Sequence, residues 1–590
     1  MNEKPNTTER LQALWTELKK LKFDGFLIPS ADEYQGEYVP AYAQLLAWLT
    51  GFTGSTGLAI VHRDGSAIFV DGRYILAVRD QVDQNLFKPH NIKECPPDKW
   101  LAQQSPANLA YDPWLHTPEN LVPLQTACEK VGSQLIPCQT NPIDIIWQDQ
   151  PEPPLAPIVP HPLRYAGKTS QAKREQIAQT LSKDHTDAAV LTAPDSIAWL
   201  LNIRGGDVPH APLPHCKAII HADGQVDLFI DARKPGTELL SENGVTIHAP
   251  EQLGAVFDNL AQKSVLIDPK QSASWIFKRL ETAGAKIVKG DDPCALPKAC
   301  KNPVEIAGAR AAHHRDGIAL TRFLHWLNKE SHDIDEIQAA ERLAQFRAET
   351  GELCDLSFDT ISAVGANGAI VHYQVTPQTN KLLRADNLYL CDSGGQYLDG
   401  TTDVTRTIAI GTPNSEQKQR FTLVLKGHIR LATCRFPEGT TGSQIDVLAR
   451  HALWQTGLDF DHGTGHGVGS YLSVHEGPQR ISKLPNQVAL KPGMIISNEP
   501  GYYKEGAYGI RIENLVLVTE AQTIDNGDYP MMGFETLTLA PIDLNLVNPS
   551  LLSQDEIAWI NNYHKRVFEQ IGPALDEEAR CWLAEVTRGI

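Results

Sequence analysis

The stretch that decides the fold is residues 388–407, which read LYLCDSGGQYLDGTTDVTRT. An apolar strand ends at Asp392, glycines mark a turn, and a second strand-like run contains Asp403. If the two strands pair, the two carboxylates lie side by side and repel each other unless they share a proton or a cation lies between them. The pair therefore predicts a metal site, although a surface hairpin with two acids remains an alternative.

Three later motifs carry more candidate ligands. Residues 462–469, HGTGHGVG, place two imidazoles on backbone that glycines allow to approach closely. In residues 492–503, PGMIISNEPGYY, and residues 509–514, GIRIEN, an apolar strand delivers a glutamate at or near its end. The candidates so gathered are four carboxylates and one imidazole: Asp392, Asp403, His466, Glu499 and Glu513.

Two competing interpretations of these motifs fail on spacing. The glycines of residues 462–469 alternate as G-x-G-x-G-x-G, which is neither the dinucleotide pattern nor a P-loop. A one-zinc protease needs H-E-x-x-H, but His475 and Glu476 are followed by Gln479 at the position of the second histidine. Neither a nucleotide site nor a mononuclear zinc protease is expected.

The charge of the candidate set indicates the cofactor. Two divalent cations balance four carboxylates and leave a site that can bind a hydroxide. Ligation by oxygen with a single nitrogen and no thiolate favours Mn²⁺, with Zn²⁺, Co²⁺ or Fe²⁺ as substitutes.

The order and spacing of these five residues resemble the ligand set of the pita-bread metallopeptidases, a superfamily that includes methionine aminopeptidase, prolidase and aminopeptidase P. Residues 399–407, 462–469 and 499–503 are most similar to the long three-domain form of aminopeptidase P. Residues 71–74, DGRY, and 197–206, IAWLLNIRGG, resemble segments of the first two domains of that form. The resemblance therefore covers nearly the whole chain.

The resemblance implies a chain of α/β and α+β class, with two tandem creatinase-N-like α/β domains before a pita-bread catalytic domain. We place these domains at residues 1–155, 156–300 and 301–590. The proline-rich residues 147–163 and a break near residues 291–301 support the two boundaries. A long helix is predicted to start at Pro303, after the N-cap residue Asn302, and residues 559–590 are expected to form a short extension that supports dimerisation.

Periodicity predicts the local structure of the first two domains. In the first, we expect a helix over residues 9–21, a strand over 25–29 and a hairpin around Asp64 and Gly65. In the second, we expect a helix over residues 170–184 and strands over 188–191, 218–220 and 226–230. Two similar domains in tandem follow from this alternation.

The resemblance also implies a role for each ligand. Asp392 and Asp403 would hold one metal, and Asp403, His466 and Glu499 the other, with Asp403 and Glu513 bridging the two. A bridging hydroxide, oriented by Glu499 as general base, would attack the scissile carbonyl while the metals stabilise the oxyanion.

Further residues match the family's substrate contacts. His372 and His475 match two histidines that contact substrate and assist proton transfer, and His462 matches another pocket histidine. Arg73 matches a substrate-contacting arginine, although residues 71–73 could equally form a turn with a salt bridge. Arg511 is expected to orient Glu513 and neighbouring groups.

The composition of the whole chain indicates which partners and which cellular compartment to expect. The net charge of −18 over 590 residues disfavours nucleic acid as a partner. Residues 1–20 lack the features of a secretory signal, and no apolar stretch approaches the roughly 20 residues that a membrane-spanning helix needs. Ten scattered cysteines without a C-x-x-C pair are typical of thiols in a reducing compartment, so we expect a cytoplasmic protein with no membrane contact.

The implied function is a metalloaminopeptidase that hydrolyses the N-terminal Xaa-Pro bond of peptides with proline at the second position, acting as a homodimer. Two alternatives stay open at this point. A prolidase would be restricted to dipeptides, and some pita-bread proteins have lost their metals and serve as peptide-binding proteins.

Overall fold

The computed structural model describes residues 6–240, 244–330 and 333–590. The chain forms two compact units, one of Met1–His161 with Lys168–Cys294 and the other of Pro162–Gly167 with Ala295–Ile590. Among the described residues, no helix has both the length and the apolar character that crossing a bilayer requires.

The first unit contains two six-stranded sheets with the same topology. In both sheets, taken in the spatial order given below, the first two strands are parallel, the next two pairs are antiparallel, and the last two pairs are parallel. The strands of the first sheet, in spatial order, are Phe87–Asn91, Ser66–Val70, Leu58–His62, Gly25–Pro29, Asn108–Tyr111 and Gln134–Pro137. The strands of the second are Val245–His248, Val226–Phe229, Lys217–His221, Ala188–Leu191, Ser264–Ile267 and Lys286–Lys289. The prediction of two similar α/β domains in tandem is confirmed.

Helices cover these sheets and bury their apolar faces. The longer ones are Thr7–Leu21, Pro118–Lys130, Ser170–Lys183, Pro194–Leu201 and Ser274–Ala283. Short helices are Leu45–Thr50, Ile75–Gln81, Pro97–Leu101, Pro142–Ile146 and Leu253–Val256. Each sheet has its own core, which is built around residues such as Phe26 and Phe52 in the first and Phe257 and Leu280 in the second. The predicted helices and strands of these domains are confirmed to within about two residues.

The second unit begins with helices and continues with strands. Its helices are Leu163–Ala166, Ala295–Ala299, Pro303–Glu330, Glu336–Ala348, Ser415–Ala432, Gly442–Trp454, Gln554–Ile571 and Glu577–Val586. The long helix begins at Pro303 as predicted, because the Asn302 side chain accepts hydrogen bonds from the Val304 and Glu305 amides while Glu305 accepts from the Asn302 amide.

Two antiparallel sheets of this unit carry the candidate ligands. The first has the strand order Ile361–Val364, Asn387–Ser393 and Val404–Ile410. The second has the order Glu476–Ile481, Gly465–Gly467, Ile495–Asn498, Asn514–Val518 and Phe534–Thr536. Smaller sheets pair Asp355–Leu356, Gly395–Tyr397 and Gly400–Thr401, and also Gly501–Lys504 with Tyr508–Arg511.

The C-terminal extension packs into the core of this unit. The helix Gln554–Ile571 leads into it and begins at Gln554 because Ser553 and Glu556 form a capping box there. Ile560, Val567 and Leu583 join the same buried cluster as strand residue Ile510. The extension therefore belongs to the core that supports the strands.

A buried ion pair ties the first two long helices of this unit to the hairpin before Asp403. Arg347 Nε donates to Asp316 Oδ1 over 2.8 Å, and the Tyr397 hydroxyl donates to the same oxygen over 2.8 Å. Arg347 is fully buried and Asp316 is 3% exposed. Removing one charge from such a pair leaves the other without its partner in a low dielectric.

We expect Arg347→Met to destabilise the protein by about 3–5 kcal/mol, the range for breaking a buried ion pair. Urea unfolding followed by circular dichroism measures the change in the free energy of unfolding. The control is Arg310→Met, which disrupts the exposed Arg310–Glu535 pair and should cost less than about 1 kcal/mol. Equal losses in the two variants would contradict the prediction.

Candidate metal centre

Three of the predicted ligands form a compact cluster. Asp403, His466 and Glu513 each offer a ligand atom, and these atoms all lie within 4.8 Å of one another. The His466 Nε2 atom lies 3.4 Å from Asp403 Oδ2 and 3.5 Å from Glu499 Oε1. Asp403, His466, Glu499 and Glu513, which are separated by up to 110 positions along the chain, are thus brought to one place.

Asp392 joins this cluster through the strand register. It pairs with Thr405, two positions beyond Asp403, so Asp392 and Asp403 project from the same face of the two strands. Its Oδ2 atom accepts a hydrogen bond from Arg511 Nη2 over 2.6 Å, whereas its Oδ1 atom is buried and has no hydrogen-bond partner among the described residues. A buried acceptor without a donor is costly unless a cation or water completes it.

Burial, and after it the neighbouring acids, raises the pKa values of the two glutamates. Burial raises the pKa of Glu499 to about 7, with His466 and Arg511 opposing the shift and Asp403 and Asp392 adding to it. Burial, then the charges of Asp403, Asp392 and Glu499, raises the pKa of Glu513 well above its usual value. Positive charge added beside these two glutamates would favour their ionised forms.

His466 shifts in the opposite sense to an ordinary buried histidine. Burial alone would lower its pKa, but the hydrogen bond to Asp403 and the charges of Glu499 and Asp403 raise it to about 9. Its Nδ1 atom faces the Gly467 carbonyl oxygen at 2.9 Å, and because a carbonyl only accepts, Nδ1 carries a proton. A neutral His466 therefore directs the lone pair of Nε2 toward Asp403 and Glu499.

Two hydroxyl groups that sequence reasoning missed orient the glutamates. Thr405 Oγ1 donates to Glu513 Oε2 over 2.7 Å, and Ser497 Oγ donates to Glu499 Oε1 over 3.1 Å. Thr405 follows Asp403 by two positions and Ser497 precedes Glu499 by two. Strand periodicity places residues two apart on one face, so this signal was present in the sequence.

A second chain of contacts leads from Asp392 to the predicted pocket histidine. Arg511 Nη1 donates to the Tyr503 hydroxyl over 2.6 Å, and that hydroxyl lies 2.9 Å from His462 Nε2. His462 Nδ1 lies 2.7 Å from the Gly463 carbonyl oxygen and therefore carries a proton, so Nε2 accepts from Tyr503. Arg511 was predicted to orient Glu513, but its direct contact is with Asp392. Its link to Glu513 runs through Thr405, whose Oγ1 accepts a hydrogen bond from Arg511 Nε over 3.2 Å.

The two other predicted histidines differ in how closely they are placed. The His475 ring centroid lies 4.3 Å from that of His466, at an interplanar angle of 74°. His372 is half-buried and follows Val371, whose carbonyl accepts a hydrogen bond from Arg511 Nη1 over 3.4 Å. His475 thus contacts the cluster, and the chain next to His372 reaches its edge.

Arg73 lies in the other compact unit. Its Nε atom lies 3.1 Å from Asp71 Oδ1 and its Nη2 atom 2.7 Å from Asp71 Oδ2, and Nη2 also donates to Thr56 Oγ1 over 3.2 Å. The Arg73 amide donates to Asp71 Oδ1 over 2.9 Å. This is the turn with a salt bridge that the sequence allowed, and a substrate contact by Arg73 stays a prediction.

Comparison with known protein families agrees with this architecture. Residues 10–146 and 149–305 each match a Creatinase/Prolidase N-terminal domain. Residues 307–520 match Metallopeptidase family M24, and residues 530–590 match the C-terminal region of that peptidase family. The fold and the site define a hydrolase of the pita-bread metallopeptidase class.

Individual relatives are similar over the full length. Two proteins named "Probable Xaa-Pro aminopeptidase P" are each 39% identical to this chain. The match to the Aspergillus flavus protein covers 100% of this chain and 93% of that protein. The match to the Colletotrichum graminicola protein covers 99% of this chain and 100% of that protein. A crystal structure of X-prolyl aminopeptidase from Caenorhabditis elegans, described as a cytosolic enzyme with a di-nuclear active site, superimposes with a TM-score of 0.94 at 34% identity over 99% of this chain and 100% of that one. The chain belongs to the Xaa-Pro aminopeptidase P family.

The raised pKa values predict how stability without metal depends on pH. The folded protein holds protons on Glu499 up to about pH 7 and on His466 up to about pH 9, whereas the unfolded chain releases them near 4.5 and 6.5. The unfolded state therefore binds fewer protons, and stability falls as the pH rises through these two windows. We expect the melting temperature of the chelator-treated protein to fall more steeply between pH 5 and 9 than that of Glu499→Gln/His466→Gln. Parallel curves would contradict this assignment.

Proposed function

We propose that the protein is an Xaa-Pro aminopeptidase that removes the N-terminal residue from peptides with proline at the second position. The observation that carries the proposal is the convergence of Asp392, Asp403, His466, Glu499 and Glu513, with Asp392 Oδ1 lacking a donor. Full-length similarity to proteins of that name supports the substrate class.

The donor set fits two divalent cations. Four carboxylates and one imidazole supply hard ligands without sulfur, which favours Mn²⁺ over softer alternatives, with Zn²⁺, Co²⁺ or Fe²⁺ as substitutes. Asp392 and Asp403 would hold one ion, Asp403, His466 and Glu499 the other, and Asp403 with Glu513 would bridge them. When bound, the two ions supply an activated hydroxide and polarise the scissile carbonyl.

The chain's own residues then divide the remaining work. Glu499, oriented by the Ser497 hydroxyl, accepts the proton of the attacking water and delivers it to the leaving amine. His475, whose ring packs beside that of His466, and His372 donate hydrogen bonds to the reacting carbonyl and assist proton transfer. Arg511 holds Asp392 in place.

The proline requirement follows from the bond itself. An Xaa-Pro amide has no N–H and carries a ring that ordinary peptidase clefts exclude. His462 has both ring nitrogens engaged, by Gly463 and Tyr503, so it offers a substrate the face and carbon edge of its ring rather than a polar atom. Such a surface suits an apolar proline ring.

Four further assignments belong to this proposal. The enzyme acts in the cytoplasm, because the similar C. elegans enzyme is cytosolic. It functions as a homodimer supported by its C-terminal extension, and Arg73 contacts substrate. The domain boundaries at residues 155 and 300 are also proposed.

The test is a panel of Ala-Pro-Ala, Ala-Pro and Ala-Ala-Ala after chelation, with each metal added back. We expect Mn²⁺ to restore release of alanine from Ala-Pro-Ala and to leave Ala-Ala-Ala uncleaved. Cleavage of the dipeptide alone would show a prolidase, and absence of both bound metal and turnover would show a peptide-binding protein.

Asp403→Ala should lower kcat/KM by more than about 100-fold, the upper range for outer-shell partners of a metal, because it removes a ligand of both ions. Steady-state kinetics with metal analysis measure the effect. Glu535→Gln, which neutralises a partly exposed carboxylate, is the matched control and should retain full activity. Unchanged hydrolysis by Asp403→Ala would refute the proposed centre.

A further inference from the structure

We propose that Glu476, held between Lys298 and Lys301, is a positioning residue that fixes His475 for catalysis. The inference rests on the proposed function, because it explains what orients His475, one of the two histidines proposed to assist proton transfer. It also gives a role to a carboxylate that the mechanism leaves unused.

The three charges form a sealed cluster. The side chains of Glu476, Lys298 and Lys301 are 0%, 3% and 1% exposed. Glu476 Oε1 accepts a hydrogen bond from Lys301 Nζ, and Oε2 lies 3.3 Å from Lys298 Nζ. Both carboxylate oxygens are thus engaged by ammonium groups, and burial of a charge at this depth requires such partners.

Glu476 is adjacent in the chain to His475, the histidine that contacts the ligand cluster. Glu476 is the first residue of the strand Glu476–Ile481, where it pairs with Gly467. His475 precedes Glu476 directly, in the bend before the strand, and its ring centroid lies 4.3 Å from that of His466. Anchoring the Glu476 side chain on the two lysines therefore restrains the backbone that carries His475.

Two glycines of the motif at residues 462–469 allow Glu476 to approach closely. A Cβ atom at Gly467 would lie 2.2 Å from the Glu476 carbonyl oxygen, and one at Gly469 would lie 3.2 Å from Glu476 Oε2. A real Cβ at the first position would force the strands apart. Glycine at these positions lets Glu476 lie directly against the segment that carries His466.

The lysines come from a segment that the sequence marked only as a break. Lys298 lies in the short helix Ala295–Ala299, and Lys301 follows it, just before the long helix that begins at Pro303. The Lys301 amide donates to the Gly493 carbonyl oxygen over 3.0 Å, which fixes the segment to the chain leading to Glu499. The cluster therefore links three segments of the site.

The experiment compares Glu476→Gln, Lys301→Met and Lys298→Met with the matched controls Glu535→Gln and Lys329→Met, whose side chains are partly exposed. Each is assayed on Ala-Pro-Ala with Mn²⁺ at a temperature well below its own melting point. We expect Glu476→Gln and Lys301→Met to lower kcat at least ten-fold, with KM and bound metal within two-fold of wild type. Lys298→Met should have a smaller effect, because Lys301 still holds the carboxylate.

A kcat per metal-loaded enzyme that stays at the wild-type value would overturn the inference, even if the melting temperature falls, because it would reduce the cluster to a structural role. A change confined to KM would overturn it too. If Lys301→Met does not fold, Glu476→Gln, which preserves side-chain volume, decides the question alone. Failure of wild-type enzyme to cleave Ala-Pro-Ala would instead refute the proposed function.

Discussion

The site depends on the repulsion among four carboxylates brought to one place, three of them buried and Glu499 with its side chain 18% exposed. Burial and their mutual charge raise the pKa values of Asp392, Glu499 and Glu513, and only a few neighbouring groups relieve this strain. Arg511 donates to Asp392, and His466 lies between Asp403 and Glu499. Divalent cations would neutralise the remaining negative charge. The repulsion that destabilises the protein without metal therefore contributes to its affinity for metal.

Outside this cluster, a second buried network holds the strands that deliver the ligands. Arg406 follows Thr405 in the same strand, so its side chain lies on the opposite face. It donates hydrogen bonds to the Glu513 carbonyl oxygen over 2.7 Å and to Asn514 Oδ1 over 2.9 Å. It also donates to the Tyr563 hydroxyl over 2.9 Å, which ties the C-terminal helix Gln554–Ile571 to the backbone of Glu513. The extension is thus connected to the site by hydrogen bonds as well as by apolar packing.

Strand ends and glycine turns in the sequence identified Asp392, Asp403, Glu499 and Glu513 as candidate ligands, and the structure brings them together, while metal binding by them stays a prediction. The same local rules predicted the helix start at Asn302 and the repeated α/β pattern. They did not predict that Tyr503 joins Arg511 to His462, because that contact depends on how the hairpin of Gly501–Lys504 and Tyr508–Arg511 packs in three dimensions.

Residues 291–301 show most clearly what local sequence patterns cannot predict. Composition marks them as a break between domains, yet Lys298 and Lys301 are buried against Glu476, which is more than 170 positions away. No local pattern distinguishes a buried lysine from a solvated one, since the partner is supplied by the fold. Long-range pairing of charges is the kind of information that periodicity lacks.

This junction also determines where the catalytic half can be separated from the rest. A shortened chain that starts at Asn302 would keep every proposed ligand and the intact N-cap of the long helix. It would nevertheless leave the Glu476 carboxylate enclosed without either ammonium group, beside the strand that carries His466. A fragment that keeps both counter-ions therefore has to include the seven residues 295–301, and a truncation series that ignores them would mistake a missing counter-ion for a dependence on the N-terminal domains.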